Sequence, residues 1–134
     1  MRRVVVVLLA TLLAGCVSVK VVRGPSVGPA FVGSWKGTGS QSDREGEWSI
    51  ALTLADGRPG TIVGTIHYPS LACGGDLILR SGESDAVELV ERITFGECVD
   101  NGVLRLRSIE GGRLGFDWRE GTLTARGTLS RAGS

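Results

Sequence analysis

The chain has few of the residues and motifs from which catalytic sites are built. Its 134 residues include a single histidine, His67, and only three cysteines, and no Cys-x-x-Cys pair or phosphate-binding loop occurs. The Gly-x-Ser-x-Gly run at residues 24–28 is not followed by the helical pattern that a nucleophile elbow needs. His67 lies between Ile66 and Tyr68 in a strand-like segment whose alternation points its imidazole outward. No cluster of metal ligands is evident either. We therefore predict that the protein is not an enzyme and that it uses no cofactor and no metal.

The chain also lacks an excess of charge of one sign. Fifteen lysines and arginines stand against fourteen aspartates and glutamates. Two of the basic residues, Arg2 and Arg3, lie in an N-terminal leader, so the mature chain is slightly acidic. Proteins that bind nucleic acids usually carry a basic stripe. We expect no nucleic-acid partner, and the length predicts one small domain.

No apolar run reaches the roughly twenty residues that a helix needs to span a bilayer. The apolar run at residues 4–13 is half that length and follows Arg2 and Arg3, which is typical of a secretory leader. It ends in Leu-Ala-Gly-Cys at residues 13–16, which resembles the signal-peptide box of bacterial lipoproteins. An ordinary secretory leader with an incidental cysteine is the alternative.

The resemblance to lipoprotein signals implies that residues 1–15 are a signal peptide and that Cys16 becomes the lipidated first residue. Acyl chains such as palmitate would then hold the protein on the extracytoplasmic face of the cell membrane, or on the outer membrane of a Gram-negative cell. Glycines and prolines interrupt the valines that follow, so residues 16–32 are predicted to be a flexible tether. Residues 33–134 are predicted to form the folded domain.

From Gly33 onward the hydrophobic period is two, as in strands with one buried face. Segments rich in glycine, aspartate and asparagine separate the apolar runs, and no helical stripe of about ten residues occurs. We predict an all-β fold of eight antiparallel strands in a meander. Both a two-sheet sandwich and a closed barrel fit this pattern, and we favour the barrel because closure removes exposed strand edges.

The Gly33-Ser34-Trp35 start of the first strand is similar to that of lipocalins, fatty-acid-binding proteins and avidins. This resemblance implies an eight-stranded up-and-down barrel in which Trp35 plugs one end. It also implies that a late arginine, Arg126 or Arg131, packs over the indole ring. An ordinary core tryptophan on a first strand is the alternative.

Cys73 and Cys98 are the only cysteines besides Cys16, and each lies among glycines at the edge of a strand-like segment. In an oxidising compartment such a pair is expected to form a disulfide. The connections after the third and fifth strands of a meander lie at the same end, which places the two cysteines one hairpin apart. A redox-active or metal-binding pair would need a spacing that is missing here.

The stretch around the two cysteines carries a second resemblance. It contains Tyr-Pro-x-Leu-x-Cys from Tyr68 and Glu-Arg-Ile-Thr from Glu91. With Gly33-Ser34-Trp35, these runs resemble a small all-β extracytoplasmic module of actinobacterial lipoproteins. Similar modules lie at the C-terminal, extracellular ends of some actinobacterial serine/threonine protein kinases. The resemblance covers most of residues 33–131, brings no known reaction, and implies an interaction or sensing module.

Acidic and small apolar residues gather in the loops at the predicted disulfide end. Loops on a rigid scaffold often carry binding groups, so we predict a recognition surface there, with plain solvation of the loops as the alternative. The residues expected at this end are Asp43, Glu45, Pro69, Ser70, Leu71, Glu97, Asp100 and Glu120. Of these, Leu71, Glu97 and Asp100 are our candidates for partner or ligand binding.

Glu91 is the exceptional interior residue, because alternation with Leu89 and Ile93 points its carboxyl inward. A buried carboxyl needs a partner or a shifted pKa. It could bind the amine or hydroxyl of a ligand, pair with the buried Tyr68 or with an arginine, or be turned outward by a β-bulge. Glu91 and Tyr68 are therefore the interior candidates for a ligand site.

Two functions of different classes follow from these features. The first is a membrane-anchored, non-enzymatic interaction or sensing module whose partner is an envelope protein. The alternative is a carrier of the calycin type that holds a small ligand inside the barrel, and a third possibility is an inhibitor of an envelope enzyme.

Overall fold

The computed structural model describes Gly15 and residues 26–133. The predicted signal peptide apart from Gly15, the lipidation site Cys16 and residues 17–25 of the predicted tether lie outside the described residues. The strands, in chain order, are β1 (Gly33–Gln41), β2 (Trp48–Leu54), β3 (Ile62–Tyr68), β4 (Cys73–Gly82), β5 (Ala86–Phe95), β6 (Val103–Ile109), β7 (Arg113–Glu120) and β8 (Leu123–Arg131). Two short 3₁₀ helices, Pro69–Leu71 and Glu110–Gly112, complete the regular structure. Across the described residues, no helix combines the length and apolarity needed to cross a bilayer.

The eight strands form one closed antiparallel barrel. Each strand pairs with the next, and β8 returns to pair with β1 along most of its length, from Trp35 opposite Arg131 to Gln41 opposite Ala125. No strand edge is left open, which removes the usual route to edge-to-edge association. The predicted all-β, up-and-down, eight-stranded barrel is confirmed, and the sandwich is excluded.

The antiparallel order sorts the loops between the two ends of the barrel. The connections at residues 42–47, 69–72, 96–102 and 121–122 lie at one end, which we call the disulfide end. Cys73 and Cys98 are bonded there, with their Cα atoms 5.8 Å apart. The predicted disulfide and its place in the meander are both confirmed.

The opposite end, where the chain enters β1, is closed by residues 26–32. Val27 and Phe31 are buried in the core. The Trp35 indole Nε1 donates a hydrogen bond to the Phe31 carbonyl at 2.8 Å, and the Arg131 guanidinium lies 4.3 Å from the Trp35 ring centroid. Arg131 also donates to the Val32 carbonyl at 2.6 Å. Residues 26–32, which belong to the predicted tether, therefore plug this end of the barrel. We call it the closed end.

Of the two arginines predicted as partners for Trp35, only Arg131 takes that place. Arg126 lies instead on the outer face of the barrel, where its Nε is 3.6 Å from the Asp117 carboxylate. The pairing of β8 with β1 places Arg131 directly opposite Trp35 at the closed end. The register of the β8–β1 pairing therefore determines which of the two arginines packs over the Trp35 ring.

The predicted alternation fails at the start of β3. Strict alternation with the buried Ile66 and Tyr68 would place Ile62 inside, but Ile62 is 54% exposed, whereas Val63 is 3% exposed. The cause is an irregularity in the β3–β4 pairing between Ile62 and Gly64, which shifts the register by one residue. Because side chains alternate with a period of two, one extra residue moves the preceding side chain to the other face.

Candidate small-molecule site at the mouth of the barrel

A cavity of about 310 Å³ opens at the disulfide end. This volume lies at the lower limit of the range of about 300–1,000 Å³ that is usual for ligand pockets. The lining combines aromatic side chains, one buried carboxyl and a partly charged rim. The lining residues are Gln41, Asp43, Arg44, Trp48, Tyr68, Leu71, Glu91, Glu97, Cys98, Val99 and Trp118.

The inner wall of the cavity consists of Trp48, Tyr68, Glu91 and Trp118, all of which are buried. Trp48 begins β2, Tyr68 ends β3 and Trp118 lies near the end of β7. In an antiparallel meander these three positions meet at the same end of the barrel. The Trp48 and Tyr68 rings lie almost perpendicular, at 87° with centroids 5.3 Å apart, and so form two adjoining sides of the cavity.

Glu91 is 1% exposed and is the only charged side chain that is buried among the described residues. The Tyr68 hydroxyl donates a hydrogen bond to its Oε2 at 2.5 Å. The carboxyl therefore points inward and pairs with Tyr68, as one of our sequence alternatives expected. No bulge turns it outward, and no arginine among the described residues pairs with it.

Burial raises the pKa of Glu91 to about 7, because the apolar interior disfavours the charged carboxylate. The hydrogen bond from Tyr68 and the nearby Trp118 indole oppose this rise, and the negative charge of Asp100 adds to it. Burial and the adjacent Glu91 also raise the pKa of Tyr68 well above its ordinary value. The site therefore holds a carboxyl that exchanges its proton near neutral pH beside a phenol that stays protonated.

The β5–β6 loop at residues 96–102 holds Glu91 in place from the outside. The backbone amide of Glu91 donates to the Gly102 carbonyl at 2.8 Å, and the Asn101 amide donates to the Glu91 carbonyl at 3.0 Å. The Asp100 carboxylate accepts a hydrogen bond from the Ile93 amide at 2.8 Å. The disulfide through Cys98 ties this loop to the start of β4. The loop is thus a fixed wall of the cavity.

Two indole N–H groups of the inner wall have no acceptor. Trp48 Nε1 and Trp118 Nε1 are buried, and neither makes a hydrogen bond to any of the residues that the structure describes. Trp118 Nε1 approaches the Glu91 carboxyl without reaching hydrogen-bonding geometry. Trp35 at the closed end, by contrast, is fully satisfied by Phe31. Neither nitrogen has an appreciable surface that a water molecule could contact, and Trp118 Nε1 packs against Gly102. The two indoles therefore present their ring surfaces, and not their donors, to the cavity.

The predicted rim divides into residues that line the cavity and residues that do not. Leu71 and Glu97 line it, as does Asp43 from the β1–β2 loop. Asp100 does not, since its side chain holds the β5–β6 loop. The other rim residues, Glu45, Pro69, Ser70 and Glu120, also lie outside the lining. Of these, Ser70 exchanges hydrogen bonds with Ser49 of β2.

Four residues of the lining were not among the predicted site residues: Trp48, Trp118, Arg44 and Val99. The signal for the tryptophans was present in the sequence. Each lies at the end of a strand that the meander directs toward the disulfide end, so both belong to the mouth of the barrel. Arg44 and Val99 lie in loops, where alternation carries no information.

The arrangement is suited to binding. His67, as predicted, is on the outer face, where its ring lies 5.5 Å from that of Phe95. In the described part of the chain, no group of three or more histidine, cysteine, aspartate and glutamate side chains could hold a metal ion. The cavity offers instead aromatic surface and one buried carboxyl, that of Glu91, beneath a charged rim.

Comparisons with protein-family models, with characterised proteins and with solved structures give no match for this chain.

Proposed function

We propose that this protein is a lipid-anchored, extracytoplasmic and non-enzymatic binding protein that holds a small ligand in the mouth of its barrel. The observation that carries the proposal is the cavity at the disulfide end, whose aromatic inner wall holds the buried carboxyl of Glu91 paired with Tyr68. A barrel filled only for stability has no need of a buried carboxyl, because burying it costs free energy. A bound ligand would recover part of that cost.

The lipid anchor and the closed end together suggest an orientation for the site. The chain enters the barrel through residues 26–32, which pack at the closed end. If Cys16 carries the acyl chains, the closed end is nearer the membrane and the cavity opens away from it. A ligand would then reach the cavity from the surrounding envelope space.

Native mass spectrometry of the mature protein, purified in detergent from its own cell envelope, tests the proposal. We expect a reproducible mass excess that disappears on denaturation. The Glu91→Gln variant should lose most of this excess, because the carboxyl is the polar centre of the cavity. Glu110→Gln, an exposed change at the closed end, is the matched control and should keep it. A bare mass for the wild-type protein contradicts the proposal.

A second candidate, a protein-interaction module, is favoured by exposed apolar side chains at the disulfide end. Phe95 is 49% exposed and Val99 is 38% exposed. The test is crosslinking in intact envelopes, comparing Phe95→Ser and Val99→Ser with Ile62→Ser. Ile62 is 54% exposed, but it begins β3 at the closed end of the barrel. Loss of a crosslinked partner in the first two variants alone supports this function, and no change in any variant contradicts it.

A further inference from the structure

We propose that the ligand of the cavity is a quaternary ammonium, that is, an organic cation whose charged group carries no N–H donor. This inference rests on the proposed small-molecule function and adds the chemical class of the ligand. Three features of the site carry it: the aromatic surface of the inner wall, the buried carboxyl of Glu91 and the acidic loops around the mouth.

The inner wall presents aromatic surface and few hydrogen-bonding groups. Trp48, Tyr68 and Trp118 all line the cavity, and the nitrogens of both indoles have almost no accessible surface. The Tyr68 hydroxyl already donates its proton to Glu91. The negative face of an aromatic ring attracts a cation, most strongly for tryptophan and where the site is desolvated. A wall with three such rings therefore favours a cation with an apolar surface over a ligand that depends on hydrogen bonds.

The charges of the disulfide end also favour a cation. Asp43 and Glu97 line the cavity at its rim, and Arg44 is the only cation of the lining. The loops at residues 42–47 and 96–102 together hold five acidic residues and one basic residue. At short range in a partly enclosed site the field of such charges is only weakly screened. A carboxylate or phosphate would therefore be repelled at the mouth, whereas a cation is attracted to it.

Glu91 distinguishes a cation from an apolar ligand of the same shape. Its side chain is 1% exposed, and one of its carboxyl oxygens accepts a hydrogen bond from Tyr68. An apolar ligand would exclude water from the cavity and increase the cost of ionising this carboxyl. A cation at the same place stabilises the ionised carboxylate through space, and this attraction requires no direct hydrogen bond.

The same burial disfavours a primary ammonium. Each of its N–H donors needs an acceptor when it leaves water. The acceptors of the inner wall are almost inaccessible, because Glu91 is 1% exposed and Tyr68 is 4% exposed. A quaternary ammonium has no donors to satisfy, and its methyl groups can pack against the rings. A cavity of about 310 Å³ has room for such a group.

A nuclear magnetic resonance titration with probes of one shape and different charge tests the ligand class. The probes are choline, its neutral analogue with a tert-butyl group in place of the trimethylammonium group, and the anion pivalate. The indole N–H resonances of the nitrogen-labelled mature protein, in a detergent without a choline head group, report changes around the rings. Trp48→Phe and Trp118→Phe variants assign two of the three indole resonances. The third, that of Trp35, is the internal reference, because its N–H is bonded to Phe31 at the closed end.

We expect choline to shift the resonances of Trp48 and Trp118 and to leave that of Trp35 in place. Choline should bind about tenfold more tightly than its neutral analogue, because only choline gains the attraction of the rings and the carboxylates. Pivalate should shift neither resonance. Glu91→Gln should weaken choline binding several-fold, whereas Glu110→Gln at the closed end should not.

Variants of the rim give an independent readout, because their side chains are exposed and their substitution leaves the core intact. Arg44→Gln removes the only cation of the lining and should tighten choline binding several-fold. The Asp43→Asn and Glu97→Gln double variant should weaken it by a similar factor. Equal choline affinities in all of these variants would contradict the electrostatic part of the inference.

Binding of the neutral analogue or of pivalate at least as tight as that of choline overturns the ligand class but keeps the small-molecule site. If no probe shifts the resonances of Trp48 and Trp118, the quaternary ammonium inference is wrong. Native mass spectrometry then decides independently whether the cavity carries another ligand. Glycerophosphocholine, titrated beside choline, separates the two sources of this chemistry: tighter binding of choline indicates a free cation, and tighter binding of glycerophosphocholine indicates a lipid head group.

Discussion

At the scale of single residues, the buried carboxyl of Glu91 determines the behaviour of the site. It lies at the inner wall of the cavity with Tyr68 from β3, Trp118 from β7 and Asp100 of the β5–β6 loop around it. Asp43, Arg44 and Glu97 lie farther out, at the rim. Burial is the largest influence on its proton affinity, so the folded state binds the proton more tightly than the unfolded chain does.

This difference makes stability depend on pH. The pKa of Glu91 rises from its ordinary 4.5 to about 7 on folding. Below pH 4.5 Glu91 is protonated in both the folded and the unfolded state, so its contribution to the free energy of unfolding is fully present. This contribution is lost as the pH rises through about 7. The loss is on the order of 3 kcal/mol. Glu91→Gln, which does not ionise, should therefore show a flatter profile of unfolding free energy between these pH values.

Urea unfolding across this pH range measures the effect. Glu110→Gln, whose carboxyl is exposed at the closed end, is the matched control and should keep the wild-type profile. Parallel profiles for wild-type and Glu91→Gln would show that the carboxyl is not desolvated in the folded protein. That result would remove the electrostatic basis of the site.

Gly102 supports the position of the Trp118 indole. A Cβ at residue 102 would overlap the indole at Nε1, whereas a Cβ at Gly28 would meet only the Phe31 ring at 3.9 Å. Gly102→Ala should therefore displace Trp118 and destabilise the fold by about 1–3 kcal/mol, as overpacked sites do. In the proton–nitrogen NMR spectrum, the indole N–H resonance of Trp118 should move and that of Trp35, at the closed end, should not. Gly28→Ala is the control, and equal unfolding midpoints for the two variants would contradict the tight packing.

At the scale of the elements, the disulfide joins the β5–β6 loop to β4 and so holds one wall of the cavity. It closes a segment of 25 residues, for which chain entropy gives a stabilisation of about 3–4 kcal/mol. The Cys73→Ala and Cys98→Ala double variant should unfold at a clearly lower urea concentration. The amides that join β5 to this loop, those of Glu91 and Asn101, should exchange faster in the double variant than amides of the β7–β8 pair.

Two outcomes would contradict this role of the disulfide. One is an unchanged urea midpoint in the double variant. The other is equal protection of the loop amides with and without the bond. The β7–β8 pair is a suitable reference, because it is a continuous ladder from Leu114 opposite Leu129 to Glu120 opposite Leu123.

Much of the fold could be predicted from the sequence, because alternation and turn residues are local signals. They predicted the eight strands, and the meander then placed both cysteines at one end. The signals fail where one extra residue changes the face, as before Gly64 in β3. They also fail at residues 26–32, where prolines and glycines are typical of a tether but Val27 and Phe31 pack into the core.

The site was predictable only in part for a similar reason. Alternation placed Glu91 and Tyr68 inside, and both line the cavity. It could not indicate that the Trp118 indole lacks an acceptor, because that depends on the course of the loop that ends at Gly102. Asp100 shows the reverse case, since its acidic loop position resembles that of a binding residue while its carboxylate holds the backbone of Ile93.

At the scale of the whole molecule, the barrel has one closed end and one open end. Phe31, Trp35 and Arg131 fill the closed end, where the chain enters, and the cavity lies at the other. We proposed above that a lipid on Cys16 holds the closed end near the membrane. Anchoring and ligand binding would then be separate properties of the two ends.

This separation gives a prediction for the anchor. Cys16→Ala should abolish incorporation of labelled palmitate and release the protein from the membrane into the soluble envelope fraction. The barrel itself should be unchanged, with the same urea midpoint, because every core residue in the part of the chain that the structure describes lies at Val27 or later. The double variant of Cys73 and Cys98 is the control and should still incorporate palmitate. Palmitate incorporation that persists in Cys16→Ala would contradict lipidation at this residue.

The most direct test of the small-molecule site is a high-resolution crystal structure of the protein purified from its own envelope. The inner wall of the cavity holds the buried carboxyl of Glu91, paired with Tyr68, among aromatic rings. We expect continuous ligand density in this cavity, against Glu91 and the rings of Trp48 and Tyr68. Density for separate water molecules alone in the cavity would contradict the account.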